Sequence, residues 1–293
     1  MTVENAEKIR SDFHIITHPT EEQIFTFTEA MGFLIKKTNK PEYMMELGGY
    51  YYELRNFDLA LKYYDMAAVF DYEPAFECLG YIWYYGRTGT VDYEKAFMNF
   101  SKAKGKGNIV AEYKIADMYK NGYFVEKDYE KYKSIIKSLY NKVKDARYTY
   151  EPLPEVFTRL ARICVEEGDT DRAINLYHEA KNFLEQRIRY NPFFGNLNIM
   201  KWLIEDLYKL EEFDDLFMDV YDLYHVLSKP AAVTFLYNGE VHTVKSVEED
   251  GAVSINLDEV KWYKTIDEFF EKAEIDSKAI TDIYLELYGF EVI

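Results

Sequence analysis

GRTGTVDYEK, residues 86–95, and GYFVEKDYEK, residues 122–131, are two versions of one passage. They lie 36 residues apart, and each opens on Gly and closes on Asp-Tyr-Glu-Lys. A period of roughly 20–50 residues marks stacked supersecondary units rather than one enzyme core. Gly86 and Gly122 fall where a first helix must stop, a position that favours left-handed backbone. Asp92 and Asp128 fall where a second helix starts, and an N-cap Asp accepts from the free N–H groups there. The carboxylates of the passage thus have a structural task and need no catalytic one.

The register extends in both directions. A first unit reads Met44, Leu47, Gly48 and Tyr51 on one helix face, then Ala60, Tyr64 and Ala67 on the face of a second. Small residues at Gly48, Ala60 and Ala67 allow close approach, and Asn56 marks the turn. The second unit reads Phe76, Leu79, Gly80 and Trp83, then Ala96, Phe100 and Ala103. The third reads Ile115, Ala116 and Tyr119, with Tyr132 in the place of an expected Ala. The fourth reads Leu160, Ala161 and Cys164, then Ala173, Tyr177 and Ala180. A degenerate fifth runs through Leu203, Ile204, Leu207 and Leu216. Ahead of the units, Thr20 and Gln23 form a capping-box pattern that opens a helix to about Lys37. Residues 1–20 are weakly patterned.

Pro230 marks a change of style. Asn238-Gly239 between β-rich runs signals a hairpin, and Asp250-Gly251 repeats the signal less tightly. Three or four antiparallel strands are expected over 232–263, with the closing FEVI as a further strand. Thr265 to Glu268 reads as a capping box, and Asp276 as the cap of another helix ending near Gly289. A domain of about 60 residues is marginal alone, so it is expected to dock on the last helices.

Charge and composition exclude several classes. The formal net charge is −17, which opposes phosphate-backbone binding and anionic membrane surfaces. It is compatible with a basic partner steered by long-range field, or with solubility alone. No apolar run reaches the roughly 18 residues a membrane span needs, and the N-terminal residues lack the apolar region of a secretory signal. Cys78 and Cys164 have no CxxC neighbour and read as small buried hydrophobes in a cytoplasmic protein. His14 and His18 are four apart, but no ligand cluster supports a metal, and no cofactor is expected. Lys104-Gly105-Lys106-Gly107 lacks the features of a phosphate loop. The remaining histidines, His178, His225 and His242, are dispersed: the first two read as structural, and His242 as facing solvent from a hairpin strand. Glu211-Glu212 and Asp214-Asp215 are adjacent on a helix and point apart.

Leu79-Gly80, Trp83, Gly86, Asp92-Tyr93-Glu94-Lys95-Ala96, Ala103 and Gly107-Asn108-Ile109-Val110-Ala111 follow the pattern of Sel-one-like repeats. The second and third units resemble that family over about residues 44–140, and the first and fourth resemble the related tetratricopeptide repeat. Secreted members often carry a cysteine pair in each repeat. Its absence supports a reducing compartment. The resemblance implies a right-handed α/α solenoid with recognisable repeats at about 41–185; the chain is therefore expected to be mostly α, a helical repeat solenoid over 1–229 that is degenerate at 199–228, followed by the small α+β domain read over 230–293.

The resemblance also implies a concave face lined by the first helix of each unit. The candidate partner-binding residues there are Met45, Tyr52, Glu53, Glu77, Tyr81, Tyr84, Tyr85, Tyr113, Asp117 and Arg162. With 28 Tyr and 20 Phe in the chain, such aromatics serve either packing or recognition. The leading reading is a non-enzymatic scaffold for a protein or peptide. An alternative is a peptide or small-ligand sensor with the C-terminal domain as effector. A third is an enzyme with its site in that domain, although no convergent nucleophile, base or metal set supports it.

Overall fold

A computed structural model describes residues 1–16, 19–145, 153–190, 194–212, 218–249 and 252–293. His18, Asp214, Asp215, Leu216, Asp250 and Gly251 lie outside the described residues. The chain forms two compact units, Met1–Ile135 and Ile136–Ile293. The change from helix to sheet near Pro230 falls inside the second.

Consecutive helices α1 (Val3–Phe13), α2 (Glu21–Thr38), α3 (Pro41–Glu53), α4 (Phe57–Ala68), α5 (Glu73–Tyr85), α6 (Tyr93–Gly105) and α7 (Ile109–Asn121) build the first unit. The next, α8 (Tyr129–Val143), spans the unit boundary. Helix α1 is unannounced in the sequence because its buried side rests on little more than Ala6, Ile9 and Phe13. Charge holds it instead. Arg10 Nε donates to Glu46 of α3 at 2.6 Å, Tyr43 donates to Glu7, and Phe13 stacks on Phe27 with ring centres 4.1 Å apart. The Thr20 capping box forms as read: Gln23 N–H donates to Thr20 Oγ1, and Thr20 N–H to Gln23 Oε1.

The duplicated passage does what its residues predict. Gly86 and Gly122 end α5 and α7 at φ 60° and 73°, inside the left-handed region that a Cβ penalises. Asp92 and Asp128 accept from Lys95 N–H at 2.9 Å and Lys131 N–H at 2.8 Å. The last residue of the passage adds a contact that spacing did not show. Lys95 Nζ lies 4.1 Å from the centre of the Trp83 ring, and Lys131 Nζ lies 3.9 Å from Tyr119. Both aromatics precede the helix-ending Gly by three residues, so each repeat closes its turn with a cation on a ring face.

Between paired helices the small residues set the approach. A Cβ on Gly80 would stand 2.4 Å from Phe100 Cε1, and one on Gly48 2.6 Å from Tyr64 Cε1. Phe100, Ala96, Ala103, Ala60 and Ala67 are fully buried, and Tyr132 fills the place of the missing Ala at 1% exposure. Each large apolar side chain so buried contributes about 1.5–3 kcal/mol.

In the second unit, α9 (Leu153–Glu166) and α10 (Thr170–Tyr190) form the fourth repeat pair, and Leu160, Ala161, Cys164, Ala173, Tyr177 and Ala180 are all buried. A buried ion pair, Arg187 Nη2 to Glu155 Oε1 at 2.9 Å, ties the two helices. The degenerate fifth repeat keeps its first helix, α11 (Phe194–Leu207), with Leu203, Ile204 and Leu207 buried. After it the described residues hold a 3-10 turn, Val220–Asp222, and α12 (Leu223–Val226).

Strands β1 (Ala231–Tyr237), β2 (Glu240–Glu249), β3 (Ala252–Leu257) and β4 (Lys261–Tyr263) follow as an antiparallel run, and α13 (Ile266–Lys272) comes next. A short pair, β5 (Glu274–Ile275) with β6 (Lys278–Ala279), precedes β7 (Tyr288–Val292), which pairs with the far edge of β1. The sheet order is β4-β3-β2-β1-β7. Asn238 and Gly239 take φ 50° and 80°, as the hairpin signal requires. Thr265 caps α13, but Glu268 turns its side chain to Lys264 N–H rather than to the cap residue.

Two expectations are corrected. No helix runs from Asp276 to Gly289. Asp276 and Ser277 adopt φ 52° and 63° and form the two-residue turn between β5 and β6, a use of the left-handed region that Asp tolerates. His242 does not face solvent. It pairs with Phe235 on the buried side of the sheet, stacks on that ring, and holds Asp258 Oδ2 at 2.8 Å through Nδ1.

The sheet docks on the last helices, as its size requires. Lys201 of α11 bonds Asp267 of α13 at 3.0 Å. Tyr224 stacks on Phe270 at 4.3 Å, and Tyr221 lies 5.8 Å from Phe270 and 5.5 Å from Tyr284.

Candidate functional site

The first helices α3, α5 and α7 carry most of the candidate residues, and side chains from the three meet. Tyr81 and Tyr113, one unit apart, share a hydrogen bond between hydroxyls at 2.7 Å. Tyr81 and Tyr85 stack at 6.0 Å with rings 5° from parallel, and Tyr84 meets Tyr85 edge-on at 5.0 Å. These four rings surround Lys114. Its Nζ lies 5.1, 5.0, 4.8 and 5.5 Å from the centres of Tyr81, Tyr84, Tyr85 and Tyr113, and it donates to Tyr85 Oη at 2.6 Å. Lys114 is 4% exposed. Aromatic faces carry negative quadrupole and can hold a desolvated ammonium.

A second cation continues the series. The Arg87 guanidinium lies 4.9 Å from the Tyr85 ring, 5.4 Å from Phe57 and 5.9 Å from Tyr52, and its Nε donates to Tyr52 Oη at 3.2 Å. Burial raises the Tyr52 hydroxyl, and Arg87 opposes that shift. The result is an alternation Tyr52, Arg87, Tyr85, Lys114, Tyr113 over α3, α5 with the turn that follows it, and α7.

The candidates differ in what they offer a partner. Tyr85 is the large aromatic among them that remains exposed, at 38%. Tyr113 is buried; Tyr81, Tyr84, Tyr52 and Asp117 are half-buried. Met45 packs on the core, and Glu53 is exposed at the end of α3. Glu77 accepts from Asn108 Nδ2 at 2.6 Å, and Asn108 also caps α7 through Ala111 N–H. Arg162 belongs to the second unit and pairs with Asp206 at 2.6 Å.

Arg87 and Lys114 escaped the sequence reading. A signal existed for Lys114: it sits midway between Val110 and Met118, four residues from each, on a stripe that is buried throughout.

Of the other chemical groups, His178 pairs with Glu211, and burial lowers His225. Neither cysteine is in a disulfide; Cys164 is buried and Cys78 half-buried. Among the described residues no group of three or more His, Cys, Asp or Glu could hold a metal ion. No helix of the described residues is long and apolar enough to cross a membrane.

No family model matches the chain, and no curated protein does. Among solved structures, the chain is similar to a Sel1 repeat protein from Oxalobacter formigenes. That likeness has 23% identity over 61% of this chain and 67% of that one, with a TM-score of 0.46. It is also similar to c5321, a protective antigen present in uropathogenic Escherichia coli strains that displays an SLR fold. There the identity is 14% over 77% of this chain, and the TM-score is 0.43. The chain spans 52% of the length of c5321.

Proposed function

We propose that the chain is a non-enzymatic repeat scaffold that binds a protein or peptide segment on the shared face of α3, α5 and α7. The observation that carries this reading is Tyr85. Its ring is exposed at 38%, yet Lys114 holds its hydroxyl and Arg87 lies over its ring. A partner therefore meets an aromatic surface whose rotamer is already fixed, so little side-chain entropy is lost on binding. Tyr81, Tyr84 and Tyr113 act one layer below, as the walls that hold Lys114 in place. Residues 230–293 belong to the second compact unit and supply none of the residues on which this reading rests.

The test separates the two layers. Affinity capture from the native cell with the full chain identifies a partner, and the Tyr85→Ala variant then loses it when assayed well below its own thermal midpoint, which falls because Tyr85 also holds Lys114. Tyr84→Ala lowers the midpoint too but keeps the partner while folded. Undiminished capture by folded Tyr85→Ala removes this face from the account.

A further inference from the structure

Three basic side chains are buried among the described residues: Lys114, Lys181 and Arg187. Lys181 Nζ lies 2.7 Å from Asp219 Oδ2 and 2.9 Å from Asp222 Oδ1, and Arg187 Nη2 lies 2.9 Å from Glu155 Oε1. Each of these two cations has a carboxylate to cancel its charge, as burial demands. Lys114 has none. Its one hydrogen bond runs to Tyr85 Oη at 2.6 Å, and among the described residues no carboxylate pairs with it. Asp117, three residues further along α7, does not pair with it either.

The rings of Tyr81, Tyr84, Tyr85 and Tyr113 stabilise the ammonium but carry no net charge. A full positive charge therefore remains, 4% exposed, where low polarity makes a nearby anion strongly felt.

Tyr85 is where that charge is met from outside. Its oxygen accepts from Lys114, which leaves its own O–H to donate. Among the described residues that hydrogen has no acceptor. Tyr85 is 38% exposed, while the lysine behind it is shut away. A hydroxyl that already accepts from a cation is a stronger donor, and it donates best to an ionised oxygen. A second ammonium at the same place would be repelled by Lys114. The net charge of −17 does not oppose an anion here, because most of the excess acid lies in the second unit.

We propose, resting on the recognition face argued above, that its partner is an acidic peptide segment. A Glu or Asp side chain of that segment accepts from the Tyr85 hydroxyl, and Lys114 stands behind as the counter-charge. Tyr85 is the contact residue, and Lys114 acts through it as a positioning and polarising residue.

The test is selection of a random-peptide phage library on the full chain. Enriched peptides should be rich in Glu or Asp. In one such peptide, replacing each Glu in turn by Gln should reveal a position where affinity falls about tenfold or more. The same replacement should cost nothing against Tyr85→Phe, which keeps the ring and drops the O–H. It should cost little against Lys114→Met, which keeps the stem and drops the charge. Each comparison is made within one folded protein, below its thermal midpoint, so a less stable variant does not mimic the result. A selection that enriches nothing, or shows no excess of acid, overturns the acidic partner. So does an equal loss against the parent and Tyr85→Phe. Acid-free peptides that Tyr85→Ala releases would sink the carboxylate and leave the face standing. Peptides that bind regardless of Tyr85→Ala would sink the face itself.

Discussion

Lys114 occupies a position that apolar periodicity assigns to the core, and the four tyrosines around it explain how it stays there. Its stem packs as a hydrophobe would, and its ammonium meets ring faces and one hydroxyl instead of water. Lys114→Ala should lower the stability of the full chain by about 2 kcal/mol or more, and Lys114→Met should restore part of that by refilling the space. Urea denaturation of the three proteins checks this, and an unchanged midpoint in Lys114→Ala would deny the cage any energetic role. Gly80 makes a second claim at this scale. With a Cβ only 2.4 Å from Phe100, Gly80→Ala should cost about 1–3 kcal/mol. Adding Phe100→Leu should recover some of it, and strict additivity of the two losses would show that they do not touch. The small-residue pattern made Gly80 legible. Lys114 was not, because a charge in an apolar stripe looks like an interruption until its partners from another repeat are known.

Element ends were the most legible part of the chain, since caps and left-handed glycines act within four residues of sequence. Thr20, Asn56, Asp92, Asp128 and Asn238-Gly239 all sit where their chemistry placed them. The failures were also local in form but tertiary in cause. Helix α1 has too thin an apolar side to announce itself and relies on Arg10, Glu7 and Phe13 meeting α2 and α3. Asp276 has the chemistry of a cap and equally that of a tight turn, and the pairing of β5 with β6 decided between them. His242 alternates correctly, but alternation alone does not say which side of a sheet is covered. At this scale Asp128→Ala should destabilise by about 1 kcal/mol through the start of α8. Lys131→Ala should add a loss of about 0.5–1 kcal/mol by uncovering Tyr119. A helix-specific loss of exchange protection in α8 is the expected readout; uniform change across the chain would point elsewhere.

The first unit should answer to acid. There the hydrogen bond from Tyr43 is the main cause that holds Glu7 below its ordinary range, so its contribution is present above about pH 4.5 and is lost as pH falls. Acidification should therefore free α1 for proteolysis, and Glu7→Gln should free it at neutral pH as well. Resistance of α1 to protease down to pH 3 would contradict this. The repeat architecture was legible because its 36-residue period recurs in sequence, whereas the proposed recognition face depends on rings and cations brought together from three repeats. The most direct test of that face places a photoreactive benzoylphenylalanine at Tyr85 on α5 and, in a separate protein, at Met98 on α6, which is 55% exposed. Irradiation in the native cell should yield a discrete partner adduct from position 85 and none from position 98. Adduct from position 98 alone, or from both equally, would contradict recognition on the α3, α5 and α7 face.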